Sequence, residues 1–211
     1  HANKNEQQVF YVAGGTARIT SGNSSYDLKE GMGFIITPEF DFTLTGTGKE
    51  QFACYVLTER IPADFKVNKE LVARNRFDGN KSTGAHWAHI GNGIVSTPNG
   101  VANYGGMSLI TIDARTIPHP HSHGDGIEEC WIMVKGDTQL LLGKQLRDCP
   151  PGTVYKIPPT GLTAHTNINL GDEPVQMIHM MKSVKSETKE YAMLDPDMYN
   201  PDAWAAAASN A

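Results

Sequence analysis

The sequence predicts an all-β protein. Glycine and proline punctuate it heavily, 21 and 12 times in 211 residues. Its apolar residues come in runs of a few positions that often alternate with polar ones, the period of a strand rather than a helix. Several of those runs recur farther along the chain, which suggests one β unit used twice. A chain of this length can bury a sizeable core, as one large domain or two small ones.

Bulk chemistry removes several classes of function. The formal net charge is −5, only 19% of residues are charged, and no cluster of Lys and Arg forms a stripe. Nucleic acid and anionic membrane surfaces are therefore not expected partners. No apolar run has the length of a membrane-crossing helix, so a soluble chain is expected. Cys54, Cys130 and Cys149 form no CxxC pair and are too few for a disulfide scaffold; they read as small core residues. The chain begins at His1 rather than Met. A leader or other preceding segment is thus expected, and the compartment stays open, with secretion or a periplasmic site compatible.

In order, HANKNEQQVFYVAGG lies on HGDGIEECWIMVKGD at an offset of 122, which sets His1 on His123, Glu6 on Glu128, Gln7 on Glu129 and Gly14 on Gly136. Farther on, GMGFIITP matches GTVYKIPP, GKEQFACYV matches GDEPVQMIH, and Leu44 falls on His165. The expected organisation is a first unit over 1–58, a linker over 59–100, a second unit over 101–183 and an extension over 184–211. With Gln7 and Leu44 at two ligand positions, the first unit is expected to hold no metal.

Within the linker, PADFKVNKELVARN reads as a short helix started by Pro62. The Gly/Asn/Ser-rich stretch after it reads as a loop with one strand, and its His86 and His89 are left out of the site. The second unit opens with the alternating YGGMSLITIDARTIP and forms a strand pair about Gly143-Lys144. VQMIHMM then returns as a strand carrying His179. The terminal NPDAWAAAASNA reads as a short helix with Asn200 as N-cap and Pro201 in its first turn.

The chemistry concentrates between residues 118 and 169. His119, His121 and His123 alternate, so an extended backbone turns all three imidazoles to one face. Glu128 and Glu129 follow the bending Gly124-Asp125-Gly126 and open the strand ECWIMVK, while Gly152 and the turn Pro158-Pro159-Thr160-Gly161 lead to His165. Neutral imidazoles and a carboxylate converging from antiparallel strands make a divalent-metal site of mixed N/O type.

These residues resemble the cupin superfamily. Its first motif, a His-x-His pair followed by a glutamate and a glycine, is matched by His121, His123, Glu129 and Gly136; its second by Gly152, Pro159, Gly161, His165 and Asn169. Two departures stand out: the second motif has one extra residue before its proline, and Arg115 and Thr116 stand where the first motif opens with glycine. The resemblance implies a duplicated pair of jelly-roll β-barrels, beside which stand the short helices read from the sequence in the linker and at the C-terminus. It also implies one divalent transition metal (Mn, Fe, Ni, Zn or Cu) on His121, His123, Glu129 and His165. Glu128 is the alternative carboxylate, because counting from His123 favours it while counting back from Gly136 favours Glu129.

Around that metal, His119, Trp131 and Tyr155 are expected to line a substrate pocket. His179 and Arg147 are the expected catalytic side chains, and Lys156 and Arg115 are further candidates for orienting substrate. The leading expectation is a metal-dependent enzyme acting on a small oxygen-rich, carbohydrate-derived substrate by isomerase- or lyase-type proton transfer. The alternatives are a dioxygenase or decarboxylase, and a non-catalytic sugar- or metal-binding protein. The expected partner is a small molecule, and a homodimer is left open.

Overall fold

A computed structural model describes residues 5–38, 40–79, 81–82, 89–123 and 126–183. The first run of strands is β1 (Glu6–Gly14), β2 (Thr16–Ser21), β3 (Ser24–Lys29), β4 (Met32–Ile36), β5 (Thr43–Gly46) and β6 (Ala53–Arg60). Then come β7 (Val72–Asn75), β8 (Lys81–Ser82), β9 (His89–Ser96) and β10 (Gly106–Ile112). The last run is β11 (Ile127–Lys135), β12 (Thr138–Leu142), β13 (Gln145–Cys149), β14 (Val154–Ile157), β15 (His165–Ile168) and β16 (Val175–Ser183). Among the described residues the only helix is a 3-10 turn at Thr97–Asn99.

The ladders are antiparallel and make four sheets, ordered β6-β1-β4-β7, β3-β2-β5, β14-β11-β16-β10-β9-β8 and β13-β12-β15. β1 pairs with β4 and β6 while β2 pairs with β3 and β5. The same pattern recurs in β11 with β14 and β16, and in β12 with β13 and β15. The closed barrels expected from the sequence are not formed by these ladders. The sheets are open, and two facing sheets close a core through interlocking side chains rather than through a continuous ring of hydrogen bonds.

Three clusters fill the interior. Val12, Ile19, Leu28, Phe34 and Ile36 pack inside the first pair of sheets, and Trp131, Met133, Leu140, Tyr155 and Met177 inside the second. Between them, Val9, Tyr11 and Ile35 meet Ile132, Ile178 and Met180. β1 and β11 are therefore apolar on both faces, which is why each reads as a nearly unbroken apolar run. Alternation still decides which cluster each residue joins.

That alternation corrects the sequence alignment. Gly15, Gly22 and Gly31, all with positive φ, precede Gly136, Gly143 and Gly152, also with positive φ, by 121 positions rather than 122. After the loop at 37–42 the matching ladders are 123 apart: Leu44 pairs with Ile19 as Asn167 pairs with Leu140. The structural counterparts of Glu129 and His165 are then Gln8 and Phe42, not Gln7 and Leu44. A shift of one residue turns every side chain to the other face. Gln7 instead faces the linker, donating to the Gly100 carbonyl at 2.6 Å and accepting from the Ala102 N–H at 2.9 Å, and Leu44 is exposed.

The linker also departs from expectation, because no α-helix follows Pro62. Phe65 closes a single turn onto the Pro62 carbonyl, and the Asn68 side chain accepts from the Glu70 N–H at 3.0 Å, a local bond that competes with helix. Leu71 is buried in the first core and Val72 pairs with Ile35, so the segment joins the sheet of β4. β8 and β9 extend the sheet of β10 instead. His1, His86, Gly124, Asp125 and the terminal helix expected at Asn200 and Pro201 lie outside the described residues.

Candidate metal centre

The site sits at one end of the second pair of sheets, where three segments meet. The strap holding the alternating histidines runs antiparallel to β15, with bridges at Thr116–Asn169 and His121–His165. The backbones of His121 and His165 exchange both hydrogen bonds, at 3.3 and 2.9 Å. This direct pairing puts their rings side by side, with centroids 4.4 Å apart. His119, His121 and His123 are all buried, and their successive ring centroids are 5.3 and 4.9 Å apart, as alternation on an extended strap requires. Imidazole nitrogens of His121, His123 and His165 lie within 4.8 Å of one another.

Backbone carbonyls set the tautomers. The Nδ1 of His121 lies 3.2 Å from the His119 carbonyl and the Nδ1 of His165 lies 3.2 Å from the Thr163 carbonyl. A carbonyl only accepts, so each Nδ1 carries a proton, which leaves Nε2 as the nitrogen available for a ligand role.

Glu129 reaches the histidines from β11. Its Oε1 is 2.9 Å from His123 Nε2 and its Oε2 is 3.0 Å from His165 Nε2. His165 Nε2 is buried and makes no hydrogen bond, although a carboxylate oxygen stands beside it. Spacings of about 3 Å are those between neighbouring donors that share one ion at about 2.1 Å. The donor set of neutral imidazoles and a carboxylate therefore fits a divalent transition metal. A small cavity of about 10 Å³ adjoins His121 and His165 on the side of Trp131, Thr166 and Asn167.

The carboxyl stays ionised in this setting. Burial works against its charge, but His179, His123 and His165 outweigh burial and hold it well below the usual carboxylate range. Glu128 looks the other way. It meets Lys156 at 2.6 Å, Lys182 at 3.1 Å and the Tyr104 hydroxyl at 3.3 Å, on the face of β11 turned towards the first pair of sheets. Of the two carboxylates left open by counting, Glu129 is the one beside the histidines.

No family model matches the sequence, and no curated protein matches it either. Solved structures do match its fold. The chain superposes on protein Ylba from E. coli, of the family model DUF861, with a TM-score of 0.64 and 13% identity over 88% of this chain and 71% of that one. For oxalate decarboxylase from Bacillus subtilis, a protein described with Mn(II) centres, the TM-score is 0.67 with 14% identity over 99% of this chain and 70% of the other. AerE from Microcystis aeruginosa gives 0.67 and 10% identity over 85% and 79%. The fold is of the cupin type.

Within this cupin fold the other expected site residues divide. Trp131 is buried next to the centre: its Nε1–H donates to Glu129 Oε2 at 2.9 Å and its ring stacks on Tyr155. Tyr155 is one layer deeper, where its hydroxyl accepts from the Asn167 amide, and burial pushes its phenol well above the ordinary range. It belongs to the floor below the site rather than to an open pocket. His179 Nε2 contacts Glu129 Oε1 at 2.6 Å and is thus engaged with the carboxylate.

Arg147 is a correction. β13 is the outer strand of its sheet, residues 145–148 are exposed, and the Arg147 guanidinium binds the Gln145 side chain. Arg115 pairs with Asp172 at the surface and Lys156 with Glu128, so neither faces the centre. Asn167, Thr166, Ile112 and Met177, which line the small cavity, were not singled out from the sequence. Their only signal was position on strands whose inward face became certain once β10, β15 and β16 were paired. Asn169 holds the fold together beside the site. Its amide nitrogen donates to the Asp113 and Glu173 carbonyls, both at 2.9 Å, fastening β10 to the turn before β16.

Proposed function

We propose that the chain is a metal-dependent cupin whose second unit, residues 101–183, holds one divalent transition metal through His121, His123, His165 and Glu129. The observation that carries this reading is the meeting of Glu129 oxygens with His123 and His165 nitrogens at 2.9 and 3.0 Å in a buried site. The recurring strand pattern further supports an origin by duplication, with residues 1–58 as the copy without ligands. Gln8 and Phe42 at the places of Glu129 and His165 offer an amide and a phenyl ring, neither able to replace a carboxylate or an imidazole.

Four protein ligands leave positions open on a metal that takes five or six, and the bound ion supplies Lewis acidity to oxygens placed there. The chain's own residues hold the rest of the setting. Trp131, Ile112 and Met177 wall the space next to His121 and His165 with apolar surface. The reaction proposed is isomerase- or lyase-type proton transfer on a small substrate with two neighbouring oxygens, such as a hydroxy acid or a sugar-derived enediol. A second reading, decarboxylase or dioxygenase chemistry, is favoured by the likeness in fold to oxalate decarboxylase.

The test is elemental analysis of the purified protein, followed by turnover of oxidised sugars, uronates and oxalate with and without dioxygen. One equivalent of transition metal and oxygen-independent consumption of a hydroxy acid or sugar acid is expected. Turnover that ceases without dioxygen selects the second reading. Metal binding with no substrate consumed makes the protein a binding module.

A further inference from the structure

We infer that Trp131 and His179 are positioning residues that grip Glu129 from the sheet side, one on each oxygen, and so fix how its carboxylate meets the metal. The inference rests on the metal reading above. Trp131 Nε1–H donates to Oε2 at 2.9 Å while His179 Nε2 meets Oε1 at 2.6 Å. A carboxylate accepts and cannot donate, so His179 carries its proton on Nε2 and presents an N–H, not a lone pair. That protonation makes His179 a holder of Glu129 rather than a fifth ligand in this arrangement.

The grip is built into the sheet. Trp131 stands opposite Tyr155 on β14 and opposite His179 on β16. The indole lies parallel to the Tyr155 ring, 5° between planes at 6.1 Å, with the His179 ring 4.3 Å from its other side. Three aromatic rings on neighbouring strands thus hold the two N–H groups in place before any ion arrives. Each Glu129 oxygen then has one N–H donor behind it and one histidine nitrogen in front: His123 before Oε1 and His165 before Oε2. With the sheet-side lone pairs taken, only the lone pairs turned towards the histidines remain for a cation. Outer partners of this kind orient a ligand and tune its basicity, and losing one weakens metal affinity by about 10–100-fold.

The test is competition titration of Mn(II) and Co(II) into apoprotein, with the Mn(II) EPR and Co(II) visible spectra recorded for each variant. Trp131→Phe keeps an aromatic ring against Tyr155 and removes the N–H; it is expected to bind about 10–100-fold more weakly, with an altered Co(II) spectrum and an apoprotein that still unfolds cooperatively. His179→Leu is expected to do the same, and His179→Gln, which restores an N–H donor, to recover most of the affinity. Wild-type affinity and spectra in both Trp131→Phe and His179→Leu overturn the inference. If His179→Gln is as weak as His179→Leu, His179 is itself a ligand and its share of the inference falls. His165→Ala is the control that separates the two levels. If wild type and His165→Ala bind metal alike or not at all, the metal reading fails and takes this inference with it. If only His165→Ala loses metal, the metal reading stands and the grip does not.

Discussion

Glu128 and Glu129 are adjacent in sequence and stand on opposite faces of β11: one binds Lys156 and Lys182, the other meets the histidines. The first joins β11 to the lysines of its neighbours β14 and β16 and to the Tyr104 hydroxyl, and the second is the candidate ligand. Each makes a distinct prediction when it is changed.

Glu128 should contribute a pH-dependent share of stability. Its side chain is buried, and although burial opposes its charge, Lys156 and Lys182 lower its pKa below the ordinary glutamate value. A depressed folded-state pKa means that the contribution is present above the unfolded value, about 4.3, and lost as pH falls through the folded one. Glu128→Gln is expected to cost about 1 kcal/mol at pH 7, since both lysines keep some solvent. Urea denaturation of both proteins at falling pH should show the gap closing in acid. A constant gap would place the cost in packing instead.

His165→Ala should empty the centre without unfolding the chain. Purified with equimolar metal, the variant is expected to retain under a tenth of an equivalent, while amide exchange in β1 and β6 stays as in wild type. Full metal occupancy would contradict the ligand assignment.

Gly136→Ala should be among the costlier single-methyl changes. Gly136 has φ +77°, and an added Cβ would come within 2.5 Å of Val175 Cγ1. Strained backbone plus overpacking is expected to cost about 2–4 kcal/mol. At Gly143, φ +62° with nothing within 4 Å of the added atom, only the backbone cost of about 1–2 kcal/mol applies. Equal losses in chemical denaturation would remove Val175 from the explanation.

Glu59→Ala should loosen the attachment of the 102–104 segment to β6. The buried Glu59 carboxylate accepts from the backbone N–H groups of Ala102, Asn103 and Tyr104 at 3.3, 3.1 and 3.3 Å. Losing a charged acceptor of three buried donors is expected to cost about 2–3 kcal/mol and to raise amide exchange at 102–104. Metal content should not change, because Glu59 touches none of the candidate ligands.

What could be read from the chain was whatever depends on neighbours in sequence. The all-β class followed from short apolar runs between glycines; the hairpin at Gly143-Lys144 and the strand ECWIMVK both stand as expected. The shared face of His119, His121 and His123 followed from the two-residue period of an extended strap. His165 was legible from the turn that precedes it. Likeness in fold to solved structures then agrees with the cupin resemblance at the level of architecture.

Register, face and distance were decided only by tertiary structure. A one-residue error in aligning β1 with β11 exchanges inside for outside, and only the ladders and the positive-φ glycines show that Gln8, not Gln7, stands where Glu129 does. Arg147 alternates like an inward residue yet lies on an outer strand, and which strand is outermost is a property of pairing rather than of sequence. His179 could be placed on a strand but not given a partner, because its contact with Glu129 spans 50 residues and exists only once β16 is laid against β11. Side-chain period is local and survives in the sequence; strand pairing is non-local, so the chemistry of this centre appears only when distant strands are brought together.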